Sequence, residues 1–348
     1  MKHDPPPRLR LVTSPDFASW LAGMQSSLVV TTGSAGRLLM IGTDDDQNLQ
    51  VCDRIVPDCS AMAVTDRSFW VNSLFQIWRF ANFLDPGMQD GNHDGYFVPV
   101  AGHTTGDLDL HDMCVTHDGD PIFVATAFNC VAVKSDNGSF RPLWHPEFID
   151  GLIGEDRCHL TGLACDDGLP AFVTCAAYSN EWDGWRTQIK NGGLVIDIGT
   201  DDVIADGLSM PFAPRVFHGE LLLLQAGTGE LGLIEMTTGK FEPIAWFPGY
   251  PRALGFIGMH AIVGTSMSVE RGVKEATLLG ERLEAADMPA RCGLFVVNLL
   301  TGRTDHWLEI EGIVEDIASV APLPEVLNPM AIGFRSEEIR YTVRPEYF

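Results

Sequence analysis

PRVFHGELLLLQ (214–225) and GELGLIEMTTGKFEPIAWF (229–247) are almost adjacent in the chain, and their reading decides the fold. The first is a short apolar strand, a His-Gly turn and a second strand with four consecutive leucines. The second is another hairpin with Thr-Thr-Gly at its turn. Such turn residues join antiparallel strands. Both units recur along the chain. Relatives of the first are AMAVTDRSFWVN (61–72), HDMCVTHDGDPIFVAT (111–126), LTGLACDDGLPAFVTC (160–175), RALGFIGMHAIVG (252–264) and the weaker DIASVAPLPEVLNPMAIG (316–333). Relatives of the second are GRLLMIGTDDDQNLQVCDRI (36–55), the longer segment 75–100, NCVAVKSDNGSFRPLW (129–144), GGLVIDIGTDDVIADGL (192–208) and CGLFVVNLLTGRTDHWLEI (292–310).

Six inner and six outer hairpins therefore alternate, and the series starts on an outer copy and ends on an inner one. A ring explains that offset. The N-terminal outer hairpin completes the blade begun by the C-terminal inner hairpin, and closure removes the open sheet edge. The expected fold is all-β: a six-bladed β-propeller of four-stranded blades, closed by pairing N-terminal and C-terminal strands. A seventh blade built around SSLVVTT (26–32) is the alternative count. A β-sandwich would not alternate hairpins in this way. Residues 1–14 read as a disordered N-terminal segment, with the Pro-rich 1–10 offering little to bury. Residues 15–348 read as one domain. Helices are expected over 15–25, with Ser14 as N-cap, and over 268–286, where Val269, Val273, Ala276, Leu279 and Leu283 share one face. The second lies in an insertion at about 265–291.

The chain of 348 residues carries 47 Asp and Glu against 23 Lys and Arg, a formal net charge of −24. That balance argues against nucleic-acid binding, which needs cations to neutralise phosphates, and against anionic membrane surfaces. No apolar run of about 18 residues suggests a transmembrane helix. MKHDPPPRLRLV lacks the apolar core of a signal peptide. The expected location is cytoplasmic, with the eight cysteines reduced and mostly buried.

In a propeller, the lead-ins to the innermost strands and the links from second to third strands share one face. The lead-ins carry His111 and Asp112, His159, Phe212, Arg252, and Glu315 with Asp316. The links carry Asn129, a stretch with Trp182, Trp185, Arg186 and Lys190, and the 265–291 insertion. His111, His159 and Glu315 should then face one small volume at the channel mouth. Two His and a carboxylate suit Fe or Zn; a carboxylate-rich set with Asn129 would suit Ca²⁺. The same three residues are the candidate catalytic groups, since imidazole titrates near neutral pH. Asn129, Trp185, Arg186, Phe212 and Arg252 are the candidate substrate-binding residues, with Arg186 or Arg252 holding a negative group. Asp107, Asp109 and Asp112 in TTGDLDLHDM (104–113) read as the outward residues of a strand. AGTGEL (226–231) lacks the Gly-Lys-Ser/Thr of a phosphate loop. Cys158 points away from His159, because adjacent strand residues face opposite sides.

Several segments resemble an uncharacterised bacterial family of predicted β-propellers with no established activity. The resemblance spans roughly residues 15–335. It is carried by TTGDLDLHDM, SFRPLWHPEFI, EDRCHLTGLA, GLSMPFAPR, GTGELG, TGKFEP and RCGLFVVNLLTG. It implies the propeller fold and assigns no catalytic residue. This chain departs from the family pattern at Thr161, Phe212, Ala213 and Gln225–Ala226. The family has His where Phe212 stands, so a third channel histidine is missing here, leaving a respecialised, more apolar site or a weakened one.

The leading expectation is a small-molecule enzyme with its pocket over the channel mouth, metal-dependent or acid–base, performing a hydrolytic, lyase-type or oxidative reaction. The insertion would serve as its lid, or as the surface of a homo-oligomer. The alternative is a non-catalytic propeller that binds or scaffolds protein partners.

Overall fold

The computed structural model describes residues 9–270, 273 and 277–345. Six sheets form the ring. Their innermost strands are Ser319–Pro324, Met62–Val64, Leu110–Val115, Leu160–Asp166, Pro211–Phe217 and Tyr250–Ile257. We number blades 1 to 6 in that order. Each innermost strand packs against its two neighbours around the channel. Second strands lie between adjacent blades, which explains their continuous apolar character. In Ser26–Thr32 of blade 1 every residue is buried. In Glu220–Gln225 of blade 5 only the first residue is exposed.

Closure joins one C-terminal strand to three N-terminal ones. Ser319–Pro324 pairs antiparallel with Ser26–Thr32, followed by Arg37–Thr43 and Leu49–Ile55. The segment considered for a seventh blade is thus the second strand of blade 1. The expected second strand of the 316–333 hairpin does not form there. Pro329–Ala331 instead pairs in parallel with Gly95–Thr104, on the outside of blade 2. The fully buried Ser26–Thr32 has seven residues to offer against three, and takes the position.

The N-terminal reading also needs correction. Residues 1–8 fall outside the described set, but Arg10–Thr13 is a strand on the outer edge of blade 6, paired with Arg303–Glu311. Helix α1 (Phe17–Gly23) follows, shorter than expected, and buries Phe17 and Leu21. Asp16 occupies its N-cap position without a side-chain bond. Ser14 instead accepts a hydrogen bond at Oγ from the Trp307 amide (3.2 Å). Helix α2 (Leu278–Ala285) begins ten residues later than expected, where Thr277 Oγ1 caps the Gly280 amide (3.1 Å). Residues 268–270 are not helical, and 271–272 and 274–276 fall outside the described residues.

Turn chemistry fixes the outer hairpins. At 235–240 the Glu235 carboxylate accepts from the Thr237 and Thr238 amides (3.0 and 2.7 Å). Those bonds hold its carboxyl down at about 2. Gly239 follows with φ +68°, where a Cβ would lie 2.3 Å from the Ile204 carbonyl oxygen. No other residue fits that turn without displacing the neighbouring blade.

Inside the channel, Asp112 ties three blades together. Its carboxylate takes both Nη atoms of Arg215 from blade 5 (2.7 and 2.9 Å) and the Leu163 amide of blade 4 (3.0 Å). Asp112 is buried rather than outward-facing on its strand. Burial disfavours the Arg215 charge, but Asp112 more than restores it, so its pKa stands raised. All eight cysteines are free thiols, five of them buried. No described helix is long and apolar enough to cross a membrane.

Candidate functional site

The lead-ins to the innermost strands of blades 2, 4 and 5 are held by side-chain amides. Asn72 Oδ1 accepts from the Ser60 and Ala61 amides (both 2.8 Å). Gln225 Oε1 accepts from the Ser209 amide (2.8 Å). Asn129 Oδ1 accepts from the Arg157 and Cys158 amides (2.9 and 3.1 Å), and its Nδ2 donates to the Glu155 carbonyl (2.6 Å). Asn129 is fully buried and engaged in this way, so it positions the backbone before His159 and does not line the pocket. His159 follows with φ +54°, a backbone region unfavourable for a side chain with a Cβ. Such strain persists only where surrounding bonds enforce it.

Five of the residues read from the sequence do come together. His111 and His159 pack edge to face with ring centroids 4.7 Å apart. Phe212 lies nearly parallel to His111 at 6.2 Å, and the Arg252 guanidinium sits 4.8 Å above Phe212. Trp185 is fully buried and stacks on His159 at 3.9 Å. It therefore acts as a wall for the imidazole and is closed to any substrate. Arg186 covers Trp185 at 4.3 Å and pairs with Asp183 (3.1 Å) at the protein surface.

Glu315 does not join this group. It is exposed, and its backbone carbonyl accepts from the Met267 amide (2.8 Å). The carboxylate comes instead from Glu270 of the insertion. His111, His159 and Glu270 each place one donor atom within 4.8 Å of the others. Glu270 Oε2 lies 3.9 Å from His159 Nε2 and 2.9 Å from Arg252 Nη2. Its neighbour Val269 is buried in the cluster that includes Trp185, Phe212, Leu279 and Leu283. That apolar anchor, with the Leu279 amide bonded to the Gly227 carbonyl (2.7 Å), carries the insertion over blade 5 towards the mouth.

Two further acids orient the imidazoles. Asp156 Oδ2 bonds His159 Nδ1 at 2.7 Å. Asp109 Oδ1 lies 3.5 Å from His111 Nε2. Burial works against a charged His111, but Asp109 and then Glu270 outweigh it, and its pKa is raised. Burial likewise works against ionised Asp109, yet His111, His159 and Arg252 hold its carboxyl well below the usual range. With these partners in place, His111 Nδ1 and His159 Nε2 are both buried without a hydrogen-bond partner.

The sequence reading missed Glu270, Asp109 and Asp156. Glu270 was hidden because the apolar spacing around it mimics a helix. Asp109 has φ +50°, so strand alternation did not apply to it. Asp156 stands three residues before His159, and that spacing was the available signal.

A cavity of about 340 Å³ opens beside the cluster. Its walls include His111, Arg252, Glu270, Asp109, Asp316 and Phe75. The fold and the site thus define a six-bladed β-propeller with a His–His–Glu cluster at one mouth of its channel. The model of the family described as Domain of unknown function (DUF4915) matches residues 15–332, and the chain belongs to that family. No curated protein matches it. Among solved structures, a chain in the nidogen/laminin complex is similar with a TM-score of 0.54 at 11% identity, over 86% of this chain and 99% of that one. A protein of unknown function from Bacteroides caccae gives 0.49 at 9%, over 85% and 98%. Virginiamycin B lyase from Staphylococcus aureus gives 0.40 at 12%, over 87% and 99%. The likeness to the nidogen/laminin chain is one of fold.

Proposed function

We propose that the protein is a small-molecule enzyme in which His111, His159 and Glu270 hold one divalent transition metal at the channel mouth. One observation carries this reading. Two buried imidazole nitrogens without partners, His111 Nδ1 and His159 Nε2, belong to a cluster that a carboxylate completes within 4.8 Å. Buried polar atoms are normally satisfied, and exceptions concentrate where a ligand or ion binds.

The donor set favours Fe or Zn over Ca²⁺. Calcium takes oxygen ligands, whereas two imidazoles and a carboxylate suit Zn and non-haem Fe(II). The supporting residues match what a metal-binding histidine needs. Asp156 accepts a hydrogen bond from the Nδ1–H of His159, which leaves Nε2 with the free lone pair, as in carboxylate–histidine–metal arrangements. Trp185 and Phe212 restrain the two rings. Arg252 holds the Glu270 carboxylate in place. A metal there would polarise a substrate oxygen and lower the pKa of a bound water. The substrate would sit in the adjoining cavity, which also brings Asp109 and His111 within its reach.

Metal analysis of protein purified without added metal tests the proposal. About one Fe or Zn per chain is expected, lost in His159→Ala and Glu270→Gln and retained in Glu315→Gln. Absence of metal, with no uptake of Zn²⁺ or Fe²⁺ on titration, would overturn it and favour the non-catalytic binding propeller.

A further inference from the structure

We propose that Cys114 and Cys165 are a redox modification site, where a low-molecular-weight disulfide entering the channel makes a reversible disulfide between blades 3 and 4. The site is separate from the His–His–Glu cluster and does not depend on the metal reading. A cavity of about 1160 Å³ fills the channel on the other side of the Asp112–Arg215 staple. Cys114, Cys165 and Arg215 all line it. Both cysteines are partly exposed, and both pack against one apolar cluster between the two blades.

The two sulfurs meet across the blade boundary. Leu110–Val115 and Leu160–Asp166 are innermost strands of neighbouring blades and pack together. The Cys114 thiol donates to the Leu163 carbonyl on the facing strand (3.4 Å). Cys165 stands two residues further along, and its thiol hydrogen-bonds with that of Cys114. A second hydrogen-bonded pair, Cys158 and Cys175, is fully buried within blade 4. The pairs differ in access: one opens on the channel and the other is sealed. Cys52, the third partly exposed thiol, lies on the outer strand of blade 1.

The exchange needs two steps. The bond to Cys114, and burial after it, keep the proton on Cys165 and raise its pKa, so the attack falls to Cys114. The Arg215 charge acts on both sulfurs and favours an anionic one. Cys114 Sγ gives its proton to water and attacks one sulfur of the reagent. The reagent's S–S bond breaks, a mixed disulfide forms on Cys114, and one small thiolate leaves and takes up a proton. Cys165 Sγ then loses its proton and attacks the Cys114 sulfur, expelling the second small thiol. Two protein thiols are oxidised, and the reagent is reduced to two small thiols.

The test treats the native full-length protein with cystamine, quenches with acid, and maps the peptides without reduction. The wild type should contain a Cys114–Cys165 link and no cysteamine on either residue, and dithiothreitol should restore both thiols. Cys165→Ser should stop at the first step and keep cysteamine on Cys114. In Cys114→Ser, Cys165 should react at least tenfold more slowly. Cys158 and Cys175 should stay reduced until the chain is unfolded. The wild-type map decides alone if either variant fails to fold. Cysteamine held on Cys114 without the link would overturn the proposal. So would an unreacted Cys114, or a Cys158–Cys175 link that forms as fast in the native protein.

Discussion

His111 and Asp112 are neighbours in the chain and end in opposite chemical circumstances. Both leave the lead-in to blade 3 and both are largely shielded from water. Asp112 has each oxygen engaged, by the Met113 and Leu163 amides and by two nitrogens of Arg215. It is a staple across blades 3, 4 and 5. His111 has one ring nitrogen near Asp109 and the other with no partner. The difference separates polar groups that hold the ring from polar groups kept for something outside the chain. Burial alone does not tell them apart; the accounting of partners does.

The comparison can be broken most forcefully at the staple. Asp112→Ala leaves the partly buried Arg215 without its counter-ion, and should cost about 3 kcal/mol in urea unfolding. A cost below about 1 kcal/mol would mean that the satisfied network does not hold the blades. On the other side, Asp156→Asn should lower metal affinity about 10–100-fold, because His159 loses the partner that sets its tautomer. Competition with a chromophoric chelator measures this, and an unchanged affinity would remove Asp156 from the site.

Asp109→Asn sharpens the contrast through pH. The pKa of His111 is raised, with Asp109 the leading charge opposing burial, so its contribution to stability is fully present below the ordinary value of about 6.5. That contribution is lost as pH rises through the raised value. The pKa of Asp109 is depressed, so its contribution is present above about 3.9 and lost as pH falls through the depressed value. The variant should therefore lose stability mainly between about pH 4 and 6.5, and little near pH 9. Proton NMR of the imidazole should show His111 titrating lower. Equal destabilisation at every pH would contradict this. The smallest effect belongs to Trp185→Phe. The indole nitrogen has no partner, so nothing is left unsatisfied and the stack on His159 is kept. A loss under about 1.5 kcal/mol is expected by thermal unfolding.

The blades were legible because hairpin turns and apolar runs are local signals repeated twelve times. The seam was not. Choosing between Ser26–Thr32 and Pro329–Ala331 as partner of Ser319–Pro324 depends on competition between segments some 300 residues apart, and the better-buried strand won. The site divides in the same way. His111, His159, Phe212 and Arg252 follow from ring topology, since every innermost strand starts on the same face. Glu270 depends on how an insertion drapes over its neighbours, through Val269 and Leu279, and no periodicity encodes that. Its apolar spacing even favoured a helix where residues 268–270 bend and Glu270 bridges back to Val273. Glu315 stands in the lead-in four residues before its strand, but its backbone carbonyl serves Met267 and its side chain lies in solvent.

The two short terminal strands have a mechanical consequence. Arg10–Thr13 grips the outside of blade 6 and Pro329–Ala331 the outside of blade 2, while blade 1 between them carries the seam. Tension along the chain would first detach residues 334–344, held on blade 2 by Phe334 against Trp78 and by Arg344 on Asp85, and then peel these two strips, four paired residues in one and three in the other. Only then would it reach the six-residue pairing of Ser319–Pro324 with Ser26–Thr32 that keeps the ring shut. The clasp of the ring is thus shielded by two sacrificial edges.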